Sequence, residues 1–420
     1  MRVLFLTNFY PPYGQGGYEQ WCQEVAENLQ ANGHDLLIVT SRHGLEECQA
    51  AELAWVQRKL HLEMELKSLR NSLQFFTHRS RNEQENLDYL RQCVEQFQPD
   101  VILVWGMWNI ARSVPVLAEK LLPGRVVYYM GDYWPTLPNQ YRLYWQAPAR
   151  SWKARLTKPL LRFFAQRMLA REQLPVPEFA HVLFPTIFMR EELKRLGMSA
   201  QRTRIIYGGA DTSLYTNHQR VHDHQTNQPL ALLYAGRITP DKGVHVAIEA
   251  MGLLVHQYGL CNLRLSVVGN GELDYSEQLR GLVREKQLES YIQFCQAQPK
   301  PAMPQLYSQA DIFLFTSIWQ EPFGRVLIEA MAAGAVVVGS PTGGAAEILV
   351  DGTNALTFPP GDAKTLAAQV IRLVDAPALR QRLVAAAQVI VHEKFDITRM
   401  ANEIEAYLQA IATNKSSHSM

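Results

Sequence analysis

Short, wholly apolar runs alternate with stretches of helical spacing along most of this chain. Residues 101–105 read Val-Ile-Leu-Val-Trp and residues 335–338 read Ala-Val-Val-Val, with no polar position between. A strand that is apolar at every position is covered on both faces, as in a parallel sheet held between helices. The pattern predicts strands over 2–7, 35–40, 100–105, 125–130, 181–185 and, more weakly, 204–206. A second series follows at 230–236, 263–268, 291–295, 311–316, 335–339 and 355–358. Residues 52–64 repeat with period two at Val56, Arg58, Leu60, Leu62 and Met64, which suits a strand better than a helix. Strands separated by helical segments make βαβ units, so the fold class is α/β with two Rossmann-like parallel-sheet domains.

Between the two series lies a polar stretch, 216–229, with almost no apolar anchor. It reads as an interdomain linker. Its three histidines (His218, His222, His224) have no rigid element to fix them, so a solvated linker is favoured over a metal site. Domain bounds follow: 1–215, linker 216–229, and 230–394. The last helical stretch runs over roughly 385–412, and its part from about 395 to 412 is expected to pack back on the first domain.

The 420 residues suit two domains, and 47% hydrophobic content supplies a core for each. A formal net charge of +1 gives no electrostatic case for nucleic acid. Five scattered cysteines form no Cys-x-x-Cys pair, which points to a reduced, cytoplasmic compartment and no zinc site. No apolar run reaches the roughly 18 residues of a membrane span.

Two segments carry most of the chemistry. Gly236-Arg237-Ile238-Thr239-Pro240-Asp241-Lys242-Gly243 joins a strand to a helix. Loops beyond strand carboxyl ends bind ligands in open α/β sheets, and a helix start adds free N–H groups and a positive dipole end. Arg237 can bridge two phosphate oxygens, and Lys242 adds a point charge. Glu321-Pro322-Phe323-Gly324-Arg325-Val326-Leu327-Ile328-Glu329 follows another strand. Pro322 suits a helix start and Phe323 to Ala333 has helical spacing, so Glu321 is placed at the loop–helix junction to accept from sugar hydroxyls. The N–H groups near Phe323 and Gly324 are open to a donor, and Glu329 further along can accept from a ribose diol. The plainer alternative is a solvated cationic turn and two ordinary helix glutamates.

Near the N-terminus, Gly14-Gln15-Gly16-Gly17-Tyr18-Glu19 opens a helix after the first strand. Adjacent glycines let a backbone approach a phosphate or a sugar closely. The spacing is not that of a dinucleotide fingerprint. Gly269-Asn270-Gly271 and Gly343-Gly344 follow two further strands and read equally as tight turns. Trp105, Met107, Trp108, Tyr133 and Trp134 follow first-domain strands, where they either stack on an acceptor sugar or fill the core.

Taken together these residues resemble retaining glycosyltransferase family 4 (glycosyl transferases group 1), with the GT-B fold of two Rossmann-like domains facing each other across a cleft. The likeness covers nearly the whole chain. It includes Gly16-Gly17-Tyr18-Glu19, residues 184–193, 206–211, 235–243 and 268–272, the Glu321–Glu329 stretch, and 343–348. It implies a hexosyltransferase taking a nucleoside diphosphate sugar, UDP-glucose or similar, and a sugar, sugar-phosphate or lipid-linked acceptor. Arg237 and Lys242 would neutralise the pyrophosphate, with Gly236, Gly269, Phe323, Gly324, Arg325 and Val326 around the donor. Glu329 would hold the ribose, Glu321 the transferred sugar. Gly16 and Gly17 would meet phosphates or acceptor, and Tyr18, Glu19, Trp105, Trp108 and Tyr133 the acceptor. No cofactor and no metal are implied. Many relatives carry histidine after the strand at 125–130, where this chain has Gly131-Asp132; Asp132 either contacts a sugar or caps a turn. Alternatives are a sucrose-phosphate synthase-like enzyme, a membrane-surface lipid or polysaccharide glycosyltransferase, a glycosidase, a GT-B epimerase, and a non-catalytic nucleotide-sugar binder.

One further segment stands out. Residues 142–171 hold eight basic side chains and no acid, interleaved with Tyr144, Trp145, Trp152, Phe163 and Phe164. Such a stretch docks peripherally on anionic lipid, meets a phosphorylated acceptor, or packs its aromatic face on the first domain with cations outward. The last reading is favoured by the sequence.

Overall fold

The computed structural model of the chain describes residues 1–14, 16–45, 53–65, 71–149, 152–216 and 229–413; for 152–157 and 216 the backbone alone is described. Gln15, Arg150 and the linker core 217–228 with its three histidines therefore lie outside the described residues.

Two compact units result. The first holds residues 1–206 and those from Ala401 onward; the second holds Tyr207–Met400. In the first, β1 (Arg2–Leu6), β2 (Asp35–Ser41), β3 (Val56–Leu60), β4 (Val101–Val104), β5 (Val126–Tyr129), β6 (His181–Phe184) and β7 (Arg202–Ile205) form a parallel sheet. Its order is β3-β2-β1-β4-β5-β6-β7. In the second, β8 (Leu230–Ala235), β9 (Leu263–Val268), β10 (Ile292–Cys295), β11 (Ile312–Phe315), β12 (Val336–Gly339) and β13 (Ala355–Thr357) are also all parallel. Their order is β10-β9-β8-β11-β12-β13. Strand order reverses between β1 and β4 and between β8 and β11, and in such sheets ligands sit beyond the strand ends at the reversal.

The all-apolar central strands β4, β5, β11 and β12 are buried at every position. Edge strand β7 is mostly exposed, in keeping with Arg202, Thr203 and Arg204. The helices that matter below are α1 (Gly17–Ala31), α2 (Asn71–Thr77), α3 (Trp152–Ala170), α4 (Val244–Gly252), α5 (Arg325–Ala332), α6 (Pro377–Lys394) and α7 (Ile397–Thr413).

What reads as one helical stretch over 385–412 is two helices, broken at Phe395-Asp396. Asp396 Oδ1 accepts from the Thr398 N–H at 2.8 Å and its Oδ2 from Thr212 Oγ1 at 2.6 Å, so the carboxylate is committed to turning the chain rather than continuing a helix. The end of α7 is tied into the first unit. Glu405 accepts from Asn32 Nδ2 at 2.6 Å and pairs with His34 at 2.9 Å, and the Tyr407 hydroxyl meets His181 Nδ1 at 3.0 Å.

Candidate functional site

The loops after β8 and β11 are stitched together at the reversal point of the second sheet. After β8 the chain makes a tight turn at Pro240–Lys242 and enters α4 through Gly243 at φ +66°. A Cβ there would stand 2.1 Å from the Thr316 carbonyl, so only glycine allows the approach. Across it, Thr316 Oγ1 donates to the Lys242 carbonyl at 2.9 Å, and the Ile318 and Trp319 N–H groups donate to the Asp241 carbonyl at 2.9 and 3.1 Å.

This stitching sets the charges. Lys242 Nζ donates to Glu321 Oε1 at 2.5 Å, with side chains 17% and 10% exposed. Ser317 Oγ donates to the same oxygen at 2.7 Å. The Glu321 carbonyl accepts from the Gly344 N–H at 2.6 Å, which brings the second glycine pair to the same place. Arg237 is exposed, its carbonyl accepting from the Tyr234 hydroxyl at 2.7 Å. Burial first, then the nearby charges of Glu321 and Asp241, push the Tyr234 phenol far up, while Arg237 pulls it down. These groups thus share one neighbourhood. Gly269 lies against the same turn: a Cβ on it would stand 1.8 Å from the Gly236 carbonyl.

Helix α5 begins at Arg325, with Gly324 as its N-cap, two residues later than a start at Phe323. The N–H groups at its head are therefore those of Arg325 and Val326, while Phe323 is buried and its ring meets Phe395 edge-on at 5.8 Å. Glu329 sits one turn in. Its Oε1 accepts from Arg325 Nε at 3.0 Å and its Oε2 from the Tyr307 hydroxyl at 3.0 Å. Each oxygen retains a lone pair for a further donor. The hydroxyls of Thr239 and Thr342 are buried without a protein partner. Tyr307, Ser317 and Thr342 carry no signal in the sequence; only the pairing of β8 with β11 and β11 with β12 brings them here.

The first unit has its own cluster at the β1/β4 reversal. Gly16 caps α1 without a side-chain bond. A Cβ on Gly16 would stand 2.3 Å from Glu19 Oε2, so that carboxylate already lies over the helix start. A negative charge in the first turn satisfies the dipole and works against a phosphate at the same place. The Tyr18 hydroxyl donates to the Tyr129 carbonyl and accepts from the Gly131 N–H at 3.2 Å. A Cβ at 131 would stand 2.5 Å from the Tyr18 ring. The Tyr18 ring thus fills the space beside Gly131. Next to it, both carboxylate oxygens of Asp132 are out of solvent contact without a well-formed hydrogen bond. Burial pushes its carboxyl up to about 8; the Trp134 N–H pulls it down and Glu19 pushes it further up.

Of the two readings of Trp105, acceptor platform or core, its burial gives the core. It is 1% exposed, stacks on Tyr129 at 4.5 Å and 17°, and spends its indole N–H on the Tyr18 carbonyl at 2.9 Å. Trp108 and Tyr133 are half-buried against the first core. In the basic segment, Trp145 is fully buried with Phe75, Tyr141, Ala165 and Leu169, but Phe163 and Phe164 face outward, against the packed-aromatic expectation. Among the described residues, no helix is long and apolar enough to cross a membrane. Nor does any group of three or more His, Cys, Asp or Glu among them have a metal-holding arrangement.

Two family models match the chain: Glycosyltransferase Family 4 over residues 15–214 and Glycosyl transferases group 1 over 216–389. An uncharacterized glycosyltransferase of Methanocaldococcus jannaschii, MJ1607, is 24% identical over 420 residues, covering 96% of each chain. Among solved structures, Anabaena Alr3699/HepE in complex with UDP and glucose matches 98% of this chain and 100% of its own at 20% identity, TM-score 0.65. Sucrose-phosphate synthase from Thermosynechococcus elongatus matches 98% of this chain and 99% of its own at 18% identity, TM-score 0.71. These likenesses establish the GT-B fold.

Proposed function

The chain belongs to the glycosyl transferases group 1, and from that premise we propose that it moves a hexose from a nucleoside diphosphate sugar to a hydroxyl acceptor, with retention and without a metal. The observation that carries this reading is the meeting of Lys242, Glu321 and the head of α5 at the β8/β11 reversal. Arg237 and Lys242 take the charge of the diphosphate, joined by the Arg325 and Val326 N–H groups. Glu329, braced by Arg325 and Tyr307, accepts from the ribose diol. Glu321 fixes the Lys242 ammonium and keeps lone pairs for hydroxyls of the transferred sugar.

The anomeric C–O bond to the diphosphate breaks as the acceptor oxygen attacks from the same face. The acceptor proton passes to a leaving phosphate oxygen. No protein nucleophile is required, so catalysis rests on positioning and on charges set before the reaction. UDP-glucose is the first donor to try, since the Anabaena relative holds UDP and glucose. In the first unit, Glu19 accepts from a hydroxyl of the acceptor.

The test is a thermal-shift screen of nucleotide sugars, followed by acceptor trials with the best donor in the presence of EDTA. Stabilisation by one nucleoside diphosphate family and EDTA-insensitive transfer are expected. Hydrolysis of simple glycosides without nucleotide, or binding with no transfer to any acceptor, overturns the reading.

A further inference from the structure

Helix α3 carries an apolar face that the first unit does not cover. Leu160, Phe163, Phe164 and Met168 are 68%, 62%, 53% and 48% exposed. With Arg167 and Arg171 they occupy positions i, i+3, i+4, i+7, i+8 and i+11, a single helical stripe. The opposite face anchors the helix: Ala165 and Leu169 are buried, and Lys158 Nζ donates to the Tyr144 and Ala147 carbonyls at 2.7 and 2.9 Å. Phe76 of α2 extends the stripe into a groove of about 740 Å³ that it shares with Leu161, Phe164, Met168, Arg167 and Arg171. Leu73, one turn before Phe76, is 63% exposed.

We infer that this face is a docking surface for an anionic lipid bilayer. Two phenylalanines stand side by side, each more than half exposed, on a helix whose other face is fixed. Exposed aromatic and aliphatic side chains with arginines among them match the boundary between acyl chains and headgroups, where arginine can reach lipid phosphate while its stem stays in apolar surroundings. Charge agrees. No acid occurs between residues 142 and 171, and Glu172, just beyond, is held by Arg79. A second copy of the chain would bring the same cations against themselves at a twofold contact, which disfavours that occupant. The inference stands independently of the donor and acceptor.

The experiment is flotation of the full chain with phosphatidylcholine vesicles, with and without phosphatidylglycerol. Binding is expected only with phosphatidylglycerol, and is expected to fade as salt rises from about 0.1 M towards 1 M. Each arginine near an anionic surface is worth about fivefold, so Arg167→Gln with Arg171→Gln should lose roughly twenty-five-fold. Phe163→Ser with Phe164→Ser should lose about tenfold or more. These side chains are exposed, so an unchanged circular dichroism spectrum is expected to separate lost binding from lost folding. No binding to anionic vesicles at low salt, binding that neither double variant weakens, or a dimer that the phenylalanine variant dissolves without any vesicle binding would each overturn the inference.

Discussion

Lys242 and Glu321 pose a sharper question than a simple loss of activity. Their contact at 2.5 Å, with side chains 17% and 10% exposed, lies between a surface pair and a buried one. Breaking a fully buried pair by removing one partner costs about 3–5 kcal/mol, and a solvated pair about 0–1. Discounted for the remaining solvent contact, Lys242→Ala is expected to cost about 2–3 kcal/mol, since Glu321 keeps only the Ser317 hydroxyl at 2.7 Å. Glu321→Gln should cost less, because the ammonium it frees is the more exposed of the two. The double variant should regain most of the stability lost in Lys242→Ala, giving a coupling of about 2–3 kcal/mol in a urea-denaturation cycle.

Turnover must behave differently. If Lys242 receives the diphosphate, neutralising Glu321 cannot replace it. Lys242→Ala and the double variant should both lose about 10²–10³ in kcat, the usual effect of deleting one preorganised charge contact. If Lys242 serves only to neutralise Glu321, the double variant should recover activity together with stability. Rescue of turnover in the double variant, or wild-type turnover in Lys242→Ala, refutes the anion-receptor role.

Asp132 titrates against the usual direction for a carboxyl group. Its pKa is about 8 in the folded chain and ordinary when unfolded, so the folded state holds the extra proton. Its contribution to stability is full below about pH 4 and is lost as pH rises through about 8. Asp132→Asn should flatten the fall in urea midpoint between those limits and be more stable than the parent above about pH 8. Glu63, pushed up to about 7 by burial, leaves a residual slope of the same sign. Gly131→Ala should cost about 1–3 kcal/mol by overpacking against Tyr18, and less in a Tyr18→Ala background; equal costs in both would show that the ring does not set the space. Tyr307→Phe leaves one oxygen of buried Glu329 without its donor and should cost about 1–3 kcal/mol, with nucleotide affinity, read by calorimetry, falling more than kcat.

The strands were legible because burial on both faces writes itself as unbroken apolar runs. Val101–Val104 and Val336–Gly339 appear within a residue of their expected ends, and even the period-two stretch yields Val56–Leu60. The two charged loops were legible as motifs, but their contact was not: it follows from β8 lying beside β11, and pairing order is not encoded in either segment. The start of α5 was misplaced because Pro322 favours a helix start, whereas Gly324 at φ +107° supplies the cap. Trp105 and Phe163 could not be given a direction from the sequence. An aromatic near a strand end has the same composition whether it faces a ligand or the core, and the stripe on α3 can be assigned a direction only when its other face is seen to be occupied.

Gly131 shows how the space beside a glycine is filled. A glycine at a crowded place leaves a gap that close packing does not tolerate. Here Tyr18 reaches it from the first turn of α1, its hydroxyl held by Tyr129 and Gly131 and its ring set against Trp105 at 5.6 Å. This arrangement sets an uncharged phenol beside Asp132 and Glu19, so the β1/β4 loops present carboxyl and hydroxyl groups. A phosphate placed there would meet repulsion from Glu19 over the head of α1, whereas a neutral hydroxyl would meet acceptors. The loops of the second unit have the reverse character, with Arg237 exposed and Lys242 held at the turn. This division of charge is what favours the second unit for the proposed diphosphate contacts.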